Sequence, residues 1–207
     1  MRFWLVLALL AVMTSPASAD VMWYVLQQRQ VECDSPGTYG PEVSIRGCTM
    51  IIRSNGATPA QRAEAYRKRG DRYRSIDDLD AALDDYDRAI RYDPLDLVPL
   101  ARRGDIYLRR GQFALAEADF TEVIARSPDP ASGVAGRCRA RAFGGLTGAR
   151  EDCEAALAIR ADSAHALGGR GVLNLREGAL QAAWSDFDAA YAGDQAAARH
   201  LYGRGIA

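Results

Sequence analysis

Small, charged and aromatic positions recur in a fixed order along residues 63–207. A glycine or cysteine returns at spacings of 34, 34, 33 and 34 residues, and an arginine directly precedes it each time. In the first four units an alanine follows, and then an aspartate directly before an aromatic residue or cysteine. The small positions are Gly70, Gly104, Cys138, Gly171 and Gly205. Repetition at this period predicts an array of stacked structural units.

The small residues predict that each unit is a pair of closely packed antiparallel helices, A and B. Glycine in helix A and alanine in helix B let the helices approach, and the aromatic side chain of helix B covers the gap over the glycine. Glycines between the helices supply the turn. Neither helix can bury its apolar face alone, so neighbouring hairpins must stack. The helix B positions are Ala82, Tyr86, Ala116, Phe120, Ala149, Cys153, Ala183 and Phe187, and the turn glycines are Gly111, Gly145 or Gly148, and Gly178.

This pattern resembles the tetratricopeptide repeat, whose units of about 34 residues follow W-x2-L-G-x2-Y…A-x3-F…P. The units would be residues 63–96, 97–130, 131–163 and 164–197. The first carries Tyr66, Gly70, Tyr73, Ala82, Tyr86, Ala89 and Pro94, and the second Leu100, Gly104, Tyr107, Ala116, Phe120 and Pro128. Departures from the pattern occur at Cys138, Arg141, Cys153, Asn174 and Gln195. The resemblance implies an all-α fold, a right-handed superhelical solenoid of antiparallel helix pairs.

The segments on either side of the four units carry their own signals. Residues 1–19 have the order of a secretory signal peptide: Arg2, an apolar run, and Ala17-Ser18-Ala19, with cleavage expected after Ala19. The apolar run is too short to cross a bilayer. Residues 20–62 are expected to form a disulfide-tied loop and a capping helix over residues 41–54. Residues 198–207 look like the start of an incomplete fifth unit, so either the chain is a fragment or another copy covers this end.

The four cysteines favour disulfides, because an even number follows a signal peptide. They are Cys33, Cys48, Cys138 and Cys153. Pairing 33 with 48 and 138 with 153 would close two loops, each contributing roughly 3 kcal/mol on the chain-entropy model. In the repeat family, positions 138 and 153 touch across the hairpin. Buried thiols, or a reactive or metal-binding pair, are the alternatives.

A repeated ion pair is the second structural expectation. Arginine before the small residue and aspartate before the aromatic recur in every full unit, which implies a structural role. We expect each arginine of helix A to meet an aspartate of helix B, in its own unit or the adjoining one. The pairs are formed from Arg69, Arg103, Arg137 and Arg170 and from Asp85, Asp119, Asp152 and Asp186.

A peptide groove follows from the resemblance, since helix A lines the concave face in this family. The inward positions carry basic, acidic and apolar side chains that suit an extended or helical peptide with acidic groups. They include Arg67, Asp71, Arg74, Asp105, Leu108, Arg109, Arg139, Phe143, Leu175 and Arg176. The alternative is that these charges only solvate their helices.

These observations predict a non-catalytic scaffold that binds a protein or peptide in the periplasm, or after secretion. The formal net charge of −1 argues against nucleic acid, and the mature chain has no membrane span. The chain has two histidines and none of the common catalytic or phosphate-binding motifs, so no cofactor is expected and an enzyme is disfavoured. The alternative is a structural or self-assembling envelope protein that uses its open C-terminal end.

Overall fold

The computed structural model of the chain describes residues 27–34 and 40–193. These residues are helical apart from short turns, and no strand occurs among them. The all-α class is therefore confirmed. The chain divides into two compact units, Met1–Pro94 and Leu95–Ala207, here called the N-terminal and C-terminal units. The predicted signal peptide and the predicted fifth-unit segment, residues 198–207, lie outside the described residues.

The described residues of the N-terminal unit, 27–34 and 40–94, form four helical segments: α1 over residues 27–34, α2 Pro41–Arg53, α3 Pro59–Ser75 and α4 Leu79–Tyr92. A capping box starts α3, because Thr58 Oγ1 accepts from the amide of Gln61 and Gln61 Oε1 accepts from the amide of Thr58. Pro59 occupies the first turn of α3, where the amide donor that proline lacks would have no partner within the helix. The side chain of Asp78 caps α4 in turn.

Cys33 lies on helix α1 and not in a loop, which corrects the expectation drawn from its turn-rich neighbours. A disulfide joins it to Cys48 on α2. The two helices approach closely at Gly47, where an added Cβ would lie 2.8 Å from Cβ of Glu32. Helices α1 and α2 therefore form a disulfide-linked pair of their own.

In the C-terminal unit, residues 95–193 are described and form three hairpins. They are α5 Val98–Arg109 with α6 Phe113–Arg126, α7 Ala131–Gly144 with α8 Ala149–Ile159, and α9 Ala164–Arg176 with α10 Leu180–Gly193. The predicted turn glycines Gly111, Gly145, Gly148 and Gly178 have φ angles of 70°, 66°, 75° and 77°. This left-handed conformation favours glycine, which has no Cβ, although Asp77 adopts it with φ 65° in the turn between α3 and α4.

Each hairpin closes through the predicted contact between a small residue and helix B. A Cβ on Gly104 would lie 3.0 Å from Cζ of Phe120, and one on Gly171 would lie 2.7 Å from Cε1 of Phe187. The same contact joins Gly70 to Tyr86 in the N-terminal unit, at 2.8 Å. In the middle hairpin of the C-terminal unit, the Cys138–Cys153 disulfide takes the place of this contact. The disulfide prediction is confirmed for both pairs.

Candidate functional site

The recurring arginines and aspartates form an ion pair within each full hairpin. The shortest nitrogen–oxygen distances are 2.7 Å for Arg69–Asp85, 2.6 Å for Arg103–Asp119, 2.7 Å for Arg137–Asp152 and 2.6 Å for Arg170–Asp186. Nε and Nη2 of each arginine donate to the two oxygens of its aspartate. This bidentate geometry is the strong form of the charged hydrogen bond. We refer to the four pairs as the ladder.

Ladder arginines are structural and are not spare ligand contacts. The hydrogen bond to Asp152 raises the pKa of Arg137, and the hydrogen bond to Asp186 raises the pKa of Arg170. The aspartate side chains are nearly inaccessible, with exposed fractions between 3% and 9%. Each carboxylate therefore depends on its arginine for the interactions that water would otherwise give.

Two residues that depart from the repeat pattern extend the ladder between hairpins. Arg141 donates to Asp152 at 3.0 Å and to Glu117 of the preceding hairpin at 2.7 Å. Asn174 donates to Asp186 at 2.8 Å and accepts from Arg150 of the preceding hairpin at 3.0 Å. Sequence reasoning noted these positions only as departures. The signal was that Arg141 and Asn174 replace the tyrosine of the repeat pattern in hairpins that also carry a ladder aspartate.

In the N-terminal unit two of the predicted groove residues, Arg67 and Asp71, are engaged with each other. Nη1 of Arg67 lies 3.6 Å from Oδ2 of Asp71. The hydroxyl of Tyr86 donates to Oδ1 of Asp71 at 2.8 Å. Arg74 is half-buried on the same helix. The carboxylate of Asp71 therefore offsets part of the positive charge that the sequence placed here.

Leu108 is a core residue and does not line a groove, which corrects its assignment. Its exposed fraction is 7%, and it packs with Ala116, Phe120 and Ala140. Asp105 and Arg109 lie on the same helix and are half-buried. Their positions in helix A did not distinguish Leu108 from Asp105 and Arg109. The side chain of Leu108 packs into the core instead of lining a groove.

Arg176 caps a helix, although the sequence assigned it to the groove. Its guanidinium donates to the carbonyl oxygens of Ala142 and, at 3.0 Å, Phe143, in the last turn of α7. Those carbonyls have no partner within their own helix, so a cation stabilises them there. Phe143 is half-buried, whereas Leu175 is exposed.

Arg139 is a predicted groove cation of the C-terminal unit whose charge is only partly compensated. Its side chain on α7 is only 17% exposed, and Nη1 lies 3.8 Å from Oδ1 of Asp105. Nε is buried and has no hydrogen-bond partner among the described residues. Desolvation lowers the pKa of Arg139, and the attraction of Asp105 offsets this only in part. We define the A-helix face of the C-terminal unit by Asp105, Arg109, Arg139, Phe143 and Leu175.

Within residues 27–34 and 40–193, no group of three or more His, Cys, Asp or Glu side chains is placed to hold a metal ion. In the same ranges, no helix is long and apolar enough to cross a membrane.

Comparison with known proteins agrees with this geometry. The tetratricopeptide repeat family matches residues 99–130. Two solved structures of MamA, one of them residues 41 to the end of the Desulfovibrio magneticus RS-1 protein, superpose with a TM-score of 0.67 at 16% and 17% identity. These matches cover 84% and 88% of this chain and 96% and 98% of the MamA chains. No curated protein sequence matched the chain.

Residues 99–130 therefore carry a tetratricopeptide repeat, and the chain shares the all-helical fold of the MamA structures. The repeat match covers one hairpin, α5–α6, while the fold match extends over most of the chain. The hairpins outside residues 99–130 keep the architecture although Arg141, Cys153 and Asn174 break the sequence pattern.

Proposed function

We propose that the chain is a non-catalytic scaffold that holds an acidic segment of a partner protein on the A-helix face of the C-terminal unit. The observation that carries this proposal is Arg139. Its guanidinium is largely removed from water, its Nε lacks a hydrogen bond among the described residues, and its one acidic neighbour is 3.8 Å away. A partner carboxylate that reaches the exposed part of the guanidinium would supply the missing charge.

The surroundings of Arg139 suit a peptide better than a small ion. Leu175 is exposed and Phe143 is half-buried, so both offer apolar surface near the capping contact of Arg176. An acidic side chain would bind Arg139 while neighbouring apolar side chains of the same segment pack on this surface. Asp105 would repel a second acidic group, which limits the number of carboxylates accepted at this point.

The compartment is part of the proposal. We infer that the chain is exported and works in the bacterial cell envelope. Two disulfides support this, because they form and persist mainly in oxidising compartments. We expect the mature protein to begin at Asp20 and to contain no thiol that alkylates before reduction. N-terminal sequencing and mass spectrometry of alkylated protein check both points, and a cytoplasmic, reduced chain that retains Met1 would contradict them.

Peptide titration tests the binding proposal. The probe is a labelled peptide of alternating glutamate and leucine, compared with its counterpart carrying glutamine for glutamate. The wild type is expected to bind the acidic probe about tenfold more tightly, since a charged hydrogen bond contributes on the order of 1.5 kcal/mol. Fluorescence anisotropy of the oxidised chain measures both affinities.

Two variants test whether Arg139 causes the preference for the acidic probe. Arg139→Gln should abolish the preference for the acidic probe. Arg126→Gln removes the same charge from α6, where Arg126 pairs with the exposed Glu122, and should leave the preference unchanged. Equal affinity of the wild type for the two probes, or an unchanged preference in Arg139→Gln, would contradict the proposal.

A further inference from the structure

The middle hairpin of the C-terminal unit, α7 with α8, is closed by a covalent bond. Cys138 and Cys153 stand where the preceding hairpin has Gly104 and Phe120, and both cysteines are fully buried. The hairpins on either side close through a glycine that packs against an aromatic ring. Among the three hairpins of residues 95–193, the middle one is therefore the hairpin whose closure depends on the oxidation state of the chain.

Helix α7 is tightly packed on both sides of this disulfide. Toward α6, a Cβ on Gly136 would lie 2.7 Å from Cζ of Phe120. Toward α9, a Cβ on Gly169 would lie 2.5 Å from Sγ of Cys138 and 3.2 Å from Sγ of Cys153. A disulfide holds two sulfur atoms about 2 Å apart, whereas unbonded heavy atoms need about 3.5 to 4 Å. Two thiols in this space therefore require α8 or α9 to move away from α7.

The helices around the disulfide carry the A-helix face of the C-terminal unit. Arg139 directly follows Cys138 on α7, Phe143 lies on the same helix, and Leu175 lies on α9. Arg176 of α9 donates to the carbonyl oxygen of Phe143 at 3.0 Å, so a displacement of α9 also removes the cap of α7. The arrangement of these face residues therefore depends on the disulfide.

We propose that the Cys138–Cys153 bond is a redox switch that assembles the A-helix face in the oxidised chain and dismantles it in the reduced chain. This inference rests on the function proposed above, because it concerns the regulation of the same face. The switch explains why a covalent bond stands where the neighbouring hairpins use glycine and an aromatic ring.

The reductant of this switch is a dithiol. One of its thiolates attacks a sulfur of the Cys138–Cys153 bond and forms a mixed disulfide with the chain. Its second thiolate then attacks its own partner sulfur in the mixed disulfide and releases the cysteine. The dithiol loses two electrons and two protons and becomes a disulfide, and the chain gains two thiols. Because both cysteines are fully buried, this exchange requires the hairpin to open first.

Hydrogen–deuterium exchange tests the switch without a ligand. The test protein is the full chain with Cys33→Ser and Cys48→Ser, so that reduction can break only the Cys138–Cys153 bond. Reduction should accelerate amide exchange in α7 and α8 at least about tenfold and leave α3 and α4 unchanged. Unchanged exchange in α7 and α8 would overturn the proposal. Equal acceleration in α3 and α4 would also overturn it, because the whole chain would then unfold.

The matched control removes the other disulfide partner set. The full chain with Cys138→Ser and Cys153→Ser retains the Cys33–Cys48 bond. Its helices α7 and α8 should exchange rapidly before any reductant is added, and reduction should not accelerate them further. Slow exchange of α7 and α8 in this variant would contradict a switch at residues 138 and 153.

Peptide binding separates the switch from the function on which it acts. The oxidised chain with Cys33→Ser and Cys48→Ser should prefer the acidic glutamate–leucine probe over its glutamine counterpart, and the reduced chain should lose this preference. A preference that survives reduction would overturn the switch. An oxidised chain without any preference would contradict the site proposed at Arg139, and the exchange measurement would then decide the switch by itself.

Discussion

At the scale of single residues, the ladder shows how recurrence in a sequence encodes a contact. Arginine and aspartate at fixed positions in four units predicted a structural pair, and the structure places all four within their own hairpins. The groove was harder to predict. Its family positions were correct as positions on helix A, but the sequence did not show that Leu108 turns into the core or that Arg176 caps α7.

Loss of one ladder carboxylate should destabilise the C-terminal unit. Asp119→Ala removes a side chain that is 7% exposed and leaves Arg103 partly buried without its bidentate partner. We expect the free energy of unfolding to fall by about 3 kcal/mol, because a buried charge loses its compensation. Urea unfolding followed by circular dichroism measures the change.

The control for this prediction is an exposed ion pair in the same hairpin. Glu122→Gln breaks the Arg126–Glu122 pair on α6, whose glutamate is 51% exposed. Its effect should stay below about 0.5 kcal/mol, as is typical of surface pairs. Equal losses for the two variants would show that the ladder contributes no more than a surface ion pair.

At the scale of helices, the most instructive difference concerns α1 and α2. Cys33 and Cys48 are separated by 15 residues, as are Cys138 and Cys153, and both pairs close a pair of helices with a Cα–Cα distance of 4.8 Å. This similarity is not visible in the sequence, because the spacing differs from the repeat period of about 34 residues. Cys33 precedes Gly70 by 37 residues, and Cys48 precedes Tyr86 by 38. The 34-residue period therefore predicted a loop and a capping helix in this segment, whereas the structure has a pair of helices.

Removing the Cys138–Cys153 disulfide should weaken the middle hairpin. Both sulfur atoms face Gly169, so serine at both positions loses the covalent link and leaves its packing against α9 imperfect. The double variant Cys138→Ser, Cys153→Ser should lose about 3 kcal/mol, the value for a closed loop of this length. Urea unfolding under oxidising conditions tests this, and a midpoint equal to that of the wild type would contradict it.

The N-terminal capping box is a second test at this scale. Thr58→Ala removes the side-chain acceptor of the Gln61 amide at the start of α3. A loss of about 1 kcal/mol is expected for such a cap. Thr58→Ser keeps a hydroxyl and serves as the control in the same unfolding measurement. A loss in the serine variant as large as that in the alanine variant would exclude the cap as the cause.

At the scale of the whole molecule, the repeat fold was predictable because each of the four units packs helix A against helix B at equivalent positions. Glycine, alanine and an aromatic residue close each hairpin, and cysteines replace two of them without changing the architecture. The binding surface was less predictable. In the C-terminal unit, Asp105 lies 3.8 Å from the guanidinium of Arg139, and carbonyls at the end of α7 accept from Arg176, so the A helices present less free positive charge than their sequence suggests.

The most direct test of the scaffold is capture of its partner from a native cell-envelope extract. The oxidised chain over residues 20–207 serves as bait beside its Arg139→Gln and Arg126→Gln variants, and bound proteins are identified by mass spectrometry. We predict a protein that the wild type and Arg126→Gln retain and that Arg139→Gln loses. A partner retained equally by all three baits would contradict binding through the A-helix face of the C-terminal unit.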